Sequence, residues 1–160
     1  MSNVILQLVD IYLNHEDWHK NKLSEGEAYS YFNKLVREGN IFYVKRNGRV
    51  LGYMEVWFID REQATRIFGN RGFNPMREDI RNGTLGYVHN AFIHERYRNL
   101  GMLRTLKRMA EIHHRQHNKL EFITFRRIRD GRYKVYSKRR SSDGRRENSH
   151  RDNAASGAHA

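Results

Sequence analysis

The stretch ERYRNLGMLRTLKRMAE, residues 95–111, carries the pattern that decides the fold. Its apolar residues recur at the spacing of one helix face, and the pattern continues one residue further: Met102, Leu106, Met109 and Ile112. This spacing predicts an amphipathic helix that begins at about Asn99. Gly101 would then lie in the first turn, where glycine lowers helix propensity by about 1 kcal/mol relative to alanine. A glycine at this position needs a reason other than helix stability.

Segments with strand character flank this helix on both sides. Residues 84–94 (TLGYVHNAFIH) and residues 120–128 (LEFITFRRI) are rich in β-branched and aromatic residues, which favour strands. A strand, a helix and a second strand in this order predict a β-α-β crossover with a parallel strand pair. Residues 132–137 predict either a final strand or a short helical piece.

A hairpin precedes the crossover. Asn47 and Gly48 lie between two β-branched and aromatic runs, which is a strong hairpin signal. The second run, residues 50–59, is apolar on both faces, as expected of a central strand.

Helices are predicted before the hairpin and after it. Ser24 and Glu27 have the spacing of a capping box, which predicts a helix that ends at Gly39. Residues 4–13 predict either a first helix or a strand followed by a helix. Residues 60–83 predict a short helix and loops.

Together these elements predict an α/β (α+β) domain with a mixed sheet, in which an antiparallel hairpin is followed by one β-α-β crossover. The chain of 160 residues is long enough for one core, so we expect a single domain over residues 1–140. Residues 141–160 contain no large apolar side chain, which predicts a disordered polar and basic tail.

Positive charge is concentrated in the second half of the chain. Residues 1–90 hold 12 Lys and Arg against 11 Asp and Glu, whereas residues 91–160 hold 18 against 7. Such a field attracts polyanions or phosphate-rich ligands, although a basic surface also serves solubility alone. Arginines, lysines and aromatic residues alternate within residues 125–151, so nucleic acid is a candidate partner there.

The composition limits the compartment. There is no cysteine, so neither disulfides nor thiolate metal sites are available. The N-terminal apolar segment is short and lacks a basic leader, and no apolar run approaches the roughly 18 residues that cross a membrane. We therefore expect a soluble cytoplasmic protein with no membrane contact, or a virion or host-cytoplasm protein if the source is a phage.

The joint between the predicted strand and helix has the properties of an anion site. A helix N-terminus presents unpaired N–H groups and a partial positive charge. Glycine at position 101 would let an anion approach the backbone, since no Cβ blocks it. Arg96, Arg98 and Arg104 add positive charge. By pattern alone, simple packing of the joint remains an alternative.

The stretch AFIHERYRNLGMLRTLKRMAE resembles the cofactor motif of the GNAT N-acyltransferase superfamily. Arg98 and Gly101 match the first half of that family's R/Q-x-x-G-x-G/A signature, and Leu106 matches its helix leucine. Leu103 departs from the pattern, because Gly or Ala is usual there. The order of elements over about residues 24–128 is also similar, so the resemblance implies a GNAT-like mixed sheet.

The resemblance implies acetyl-coenzyme A as the cofactor and acetyl transfer to an amine of a small molecule, a protein lysine or a protein N-terminus. The strand backbone would hold the pantetheine arm at Ala91, Phe92 and Ile93. The loop and the first helical turn would hold the pyrophosphate at Arg98, Asn99, Leu100, Gly101, Met102, Leu103 and Arg104.

The reaction needs a base for the amine proton and an acid for the departing thiolate. His89 and Tyr87 share a face of the predicted strand by alternation, and Glu55 on the hairpin is a further candidate base. The resemblance implies that the acid is a tyrosine in a later helix, a position for which the sequence offers Tyr136. The usual C-terminal helix and strands of the family are shortened or missing here. A catalytically inactive GNAT-like protein, which binds nucleic acid or takes part in an assembly, is the alternative function.

Two histidine patterns compete with this interpretation. His15 and His19 fit the H-E-x-x-H arrangement of zinc proteases, and His113 and His117 have i, i+4 spacing. A solvated helix end explains the first pattern better, and helix capping explains the second. We therefore predict no metal site.

Overall fold

In the computed structural model the described residues are 3–16, 21–117, 122–126 and 133–137, with side chains described as far as residue 114. They form four α-helices, one 3-10 turn and five strands. In chain order these elements are α1 (Val4–His15), α2 (Glu25–Glu38), β1 (Ile41–Arg46), β2 (Arg49–Ile59), α3 (Arg61–Phe68), β3 (Leu85–Ile93), the 3-10 turn Glu95–Tyr97, α4 (Met102–His117), β4 (Phe122–Arg126) and β5 (Tyr133–Ser137).

The five strands form one sheet in the order β1-β2-β3-β4-β5. Strands β1, β2 and β3 pair antiparallel, β3 and β4 pair parallel, and β4 and β5 pair antiparallel. The predicted mixed sheet, with an antiparallel hairpin followed by a β-α-β crossover, is confirmed. Strand β2 is buried along nearly its whole length because helices cover both of its faces.

The helices form two layers on opposite faces of the sheet. Helices α1 and α2 pack against one face with a core that includes Leu8, Phe32 and Leu35. Helix α4 packs against the other face through Leu106 and Ala110, which meet side chains of β1, β2 and β3. The crossover helix α4 therefore lies alone on its side among the described residues.

The helix ends confirm the sequence signals and settle the alternatives. Residues 4–15 form a single helix, so the strand-then-helix alternative is wrong. The capping box of Ser24 and Glu27 is present, and Gly39 ends α2 with φ +77°. Residues 133–137 form a strand and not a helical piece. The predicted tail, residues 141–160, lies outside the described residues, and so do the side chains of the predicted nucleic-acid segment 125–151.

One helix boundary differs from the prediction. Helix α4 begins at Met102 and not near Asn99. The reason is the backbone conformation, since Asn99 (φ +63°) and Gly101 (φ +77°) both lie in the left-handed region, which a right-handed helix cannot include. Gly101 therefore precedes the helix and does not lie in its first turn.

Two buried carboxylates connect the α1–α2 layer to the sheet. The Tyr53 hydroxyl donates a hydrogen bond to Glu16, which follows α1 and is fully buried. The Tyr31 hydroxyl of α2 donates to Glu55 of β2. Burial, and then the adjacent carboxylate, raise the pKa of each tyrosine well above its ordinary value. Both hydroxyls therefore remain protonated donors in the folded protein.

Alkaline titration should reveal these two tyrosines. Of the nine tyrosines, Tyr31 and Tyr53 should remain protonated until the chain unfolds. Because the unfolded chain releases these protons from about pH 10 whereas the folded chain retains them, the stability they contribute is intact below pH 10 and lost above it. Tyrosinate absorbance and far-ultraviolet circular dichroism, followed together, check this. Reversible ionisation of all nine tyrosines near pH 10 in a folded protein would contradict it.

Substitution of Gly52 should test how closely β2, β3 and α4 approach. A Cβ on Gly52 would lie 2.8 Å from the Phe92 carbonyl oxygen, 2.7 Å from the Ile93 Cδ1 and 2.8 Å from the Met102 sulfur. Gly52→Ala should therefore lower the free energy of unfolding by about 1–3 kcal/mol, measured by urea denaturation. The control is Gly26→Ala in α2, where a Cβ meets nothing within 4 Å, and which should leave the free energy of unfolding unchanged or raise it by up to about 1 kcal/mol. Equal losses in both variants would contradict the close approach.

Candidate active site

Strand β3 is paired on both edges over only part of its length. Residues 85–88 pair with β4, whereas the pairing with β2 continues to Ile93. Among the described residues of β4, pairing with β3 extends only as far as Val88, so residues 89–93 lie beyond it. At about 3.3 Å per residue this edge is roughly 16 Å long. We call it the unpaired edge of β3, and its N–H and C=O groups can bond an extended ligand as a further strand would.

A β-bulge marks the point where the unpaired edge begins. Glu55 is the register partner of Asn90 and Val56 is the partner of Val88, so the register between β2 and β3 skips His89. As a result, two successive side chains turn to the α1–α2 face: His89 stacks on Trp57, and Asn90 donates to Tyr53. A bulge bends its strand and increases the twist.

The loop after β3 is tight and ends at the N-terminus of α4. The Tyr97 N–H donates to the His94 carbonyl, and the Arg98 Nε donates to the Ile93 carbonyl at 3.1 Å. The first N–H groups of α4 have no partners within the helix. A Cβ on Gly101 would meet no atom within 4 Å, so the space beside this glycine is open to an anion.

The charge around the loop is positive. Arg96, Arg98 and Arg104 are all exposed. Burial, together with the nearby His15 and Arg49, lowers the pKa of His94, so this histidine is largely neutral at neutral pH. The arginines and the helix N-terminus therefore supply the positive potential.

Leu103 does not occupy the space beside the unpaired edge. Its side chain is 51% exposed, and that of the neighbouring Leu100 is 72% exposed, whereas a side chain that filled a space between strands would be enclosed. The departure from the family pattern at Leu103 therefore places an exposed side chain near the start of α4. The other residues predicted to hold pantetheine, Ala91, Phe92 and Ile93, lie on the unpaired edge itself.

The candidate bases occupy different environments. His89 is exposed at the start of the unpaired edge, with its ring stacked on Trp57 at a centroid distance of 4.1 Å. Tyr87 is only 7% exposed and also contacts the indole. Glu55 is 1% exposed and accepts hydrogen bonds from the Trp57 Nε1 at 2.7 Å and from Tyr31. The structure thus brings all three together around Trp57, with only His89 reaching the surface.

The helical position implied for Tyr136 is wrong. This residue lies in strand β5, where it is the register partner of Ile123 of β4. β5 pairs antiparallel with β4 and is the last strand in the described sheet, so Tyr136 lies in an edge strand. Its side chain lies outside the described residues.

Several residues of the site were missed from the sequence. Trp57 and Tyr53 could have been found by alternation along β2, which places them on the same face as Glu55. Asn90 could not, because the alternation expected of an uninterrupted strand places it on the face opposite to His89. Only the bulge brings the two side chains to one side.

The competing histidine patterns have structural roles. Helix α1 ends at His15, and His19 lies outside the described residues. The glutamate of this pattern, Glu16, accepts hydrogen bonds from Tyr53 and Asn90. His113 lies in the last two turns of α4, where its ring packs on Phe42. Among the described residues no group of three or more His, Asp or Glu could hold a metal ion.

None of the described helices is both long and apolar enough to span a membrane.

Comparisons with known proteins agree with this fold. The family model for the acetyltransferase (GNAT) family matches residues 8–139. No curated protein sequence matches the chain. Among solved structures, the chain is similar to the loading GNATL domain of CurA from Lyngbya majuscula, with 13% identity, a TM-score of 0.52, and coverage of 76% of this chain and 58% of that one.

Two further solved structures have lower TM-scores. The ribosomal-protein-alanine N-acetyltransferase from Brucella melitensis has 17% identity and a TM-score of 0.46, with coverage of 76% of this chain and 65% of that one. A predicted acetyltransferase with acetyl-CoA from Clostridium acetobutylicum has 21% identity and a TM-score of 0.45, with coverage of 81% and 76%. The chain thus spans less than two thirds of the length of the first two structures.

The family model covers most of the chain and includes the bulge, the unpaired edge and the glycine loop. The chain belongs to the GNAT acetyltransferase family.

Proposed function

We propose that this protein is an N-acetyltransferase that transfers the acetyl group of acetyl-coenzyme A to an amine. The observation that carries the proposal is the unpaired edge of β3, which runs directly into an open loop of backbone N–H groups at the start of α4. A long ligand with amide groups at one end and a pyrophosphate at the other matches this arrangement of donors and acceptors.

The residues present fit acetyl-coenzyme A at both ends. The backbone of Ala91, Phe92 and Ile93 would pair with the amides of the pantetheine arm, as in strand addition. The pyrophosphate would lie at the N-terminus of α4 beside Gly101, within reach of the exposed arginines. The thioester would then lie near the bulge, at the point where β4 begins to pair with β3.

In the proposed reaction the amine nitrogen forms a bond to the thioester carbonyl carbon, and the carbon–sulfur bond breaks. His89 accepts the proton that the amine loses, directly or through water. The thiolate leaves with the electron pair of the broken bond and takes a proton from solvent or from Tyr136. His89 is preferred over Tyr87 and Glu55 because it alone of the three is exposed at the start of the unpaired edge.

Cofactor binding should depend on charge at position 101. Gly101→Asp places a carboxylate beside the pyrophosphate position and should weaken acetyl-coenzyme A binding at least 100-fold, measured by calorimetric titration. Gly101→Asn is the matched control, because asparagine has nearly the same shape, no charge and the same tolerance of the left-handed region that Asn99 displays. It should weaken binding less than about tenfold.

Two results of that titration would count against the proposal. Equal losses in the Asp and Asn variants would show that backbone strain, and not an anion site, explains the glycine. No binding to the wild type at millimolar acetyl-coenzyme A would exclude the proposed cofactor.

The proposed base can be tested by kinetics once an acceptor amine is in hand. His89→Ala should lower kcat about 100-fold or more, with the KM for acetyl-coenzyme A changed less than about threefold, because the side chain takes the proton but does not hold the cofactor. Tyr87→Phe, which removes only a hydroxyl from the same face, should retain kcat within about threefold. If Tyr87→Phe lowers kcat about 100-fold and His89→Ala does not, Tyr87 is the base.

A further inference from the structure

We propose that Tyr31, Glu55 and Trp57, which we call the Trp57 support, stabilise the protonated imidazole of His89 through the face of the indole ring. This inference rests on the proposed function, in which His89 accepts the amine proton. It assigns Glu55 as a positioning residue that acts through Trp57 and not as the base.

The rings of His89 and Trp57 lie nearly face to face. They are 4.1 Å apart between centroids and inclined by only 16°. A cation over the face of an indole is attracted by the negative charge of the π-system, and tryptophan gives the strongest interaction of this kind. Proton transfer to His89 would create this cation directly on the indole face.

A hydrogen bond lies at the far edge of the indole. The Trp57 Nε1 donates to the Glu55 Oε1 at 2.7 Å, and both residues are buried, with exposed fractions of 4% and 1%. A hydrogen bond from an N–H to a carboxylate is stronger than one to a neutral acceptor. In a buried environment it polarises its donor, so the indole face that His89 contacts becomes more negative.

The carboxylate is not itself the base. The Glu55 Oε1 accepts hydrogen bonds from the indole N–H and from the Tyr31 hydroxyl, and the pKa of that tyrosine is raised. Glu55 thus lies enclosed between α2 and β2. An acceptor amine can reach His89 at the surface but would have to displace Trp57 to reach Glu55.

Other charged and titratable groups also lie near His89. Tyr87, on the same strand, lies 6.2 Å away between ring centroids. Arg66 of α3 lies over the ring of Phe73, and Phe73 in turn stacks on Trp57. The charge of Arg66 therefore acts first on Phe73, the ring next to the indole. Glu16 accepts a hydrogen bond from Asn90, the residue that follows His89. Among these groups, Glu55 is the anion that is hydrogen-bonded to the ring His89 touches.

The test is the proton titration of the His89 ring, followed by NMR in the full chain without cofactor or acceptor. Removing the indole by Trp57→Leu should lower the titration midpoint by about 0.5 to 1 pH unit, as expected for a cation–π interaction. Glu55→Gln, which keeps the shape and removes the charge, should lower it by a smaller but measurable shift. Glu16→Gln is the matched control, since it removes an equally buried carboxylate, and it should shift the midpoint less than half as far.

A double-variant cycle separates action through the indole from action through space. In a Trp57→Phe background the N–H is absent, so Glu55→Gln should no longer shift the midpoint. An undiminished shift there, an equal shift in Glu16→Gln, or no shift in Trp57→Leu would overturn the proposal. Trp57→Phe conserves most of the core volume, so the cycle remains available if Trp57→Leu does not fold.

The kinetic consequence distinguishes this inference from the proposed function. In an active enzyme Glu55→Gln should lower kcat by about threefold to tenfold with the KM for acetyl-coenzyme A unchanged. Because the titration needs neither substrate, an inactive wild type would refute the proposed function and leave the titration result standing. An unchanged titration in an active enzyme would refute only the Trp57 support.

Discussion

The β-bulge at His89 is the constraint on which the site depends. It inserts one residue into β3 opposite the Glu55–Val56 step of β2, and the pairing with β4 ends at the residue before it. A bulge bends its strand and increases the local twist, and here it lies where the described pairing with β4 stops. The backbone beyond it is the part of β3 that we propose bonds the cofactor.

The same bulge connects this edge to the buried polar groups under α1 and α2. It turns His89 onto Trp57 and Asn90 toward Tyr53 and Glu16. Buried carboxylates are tolerated only where hydrogen bonds compensate for their loss of hydration. Because the donors lie on α2, β2 and β3, the start of the unpaired edge is fixed from several directions, as a site that positions reacting groups requires.

Most of the fold could be predicted from the sequence, because its elements carry local signals. The capping box at Ser24, the Asn47-Gly48 turn and the helical spacing after Gly101 each use rules that act within a few residues. The bulge has no comparable signal, since it arises from the register between two strands. The role of Glu16 also depends on contacts that are distant in sequence, since its partners Tyr53 and Asn90 lie more than 35 residues away. In the sequence Glu16 stands out only as the glutamate of the H-E-x-x-H pattern. The left-handed conformation of Asn99 moved the helix start because asparagine tolerates it without a distinct sequence signature.

We propose that the unpaired edge of β3 and the loop before α4 hold acetyl-coenzyme A. Backbone amide NMR of the wild-type chain during addition of acetyl-coenzyme A can follow both segments at once. We expect saturable shifts at residues 91–93 and 99–104 and slower hydrogen exchange along the unpaired edge, with residues 41–46 of the distant strand β1 unchanged. Saturable shifts that spare both segments, or none at millimolar ligand, would contradict it.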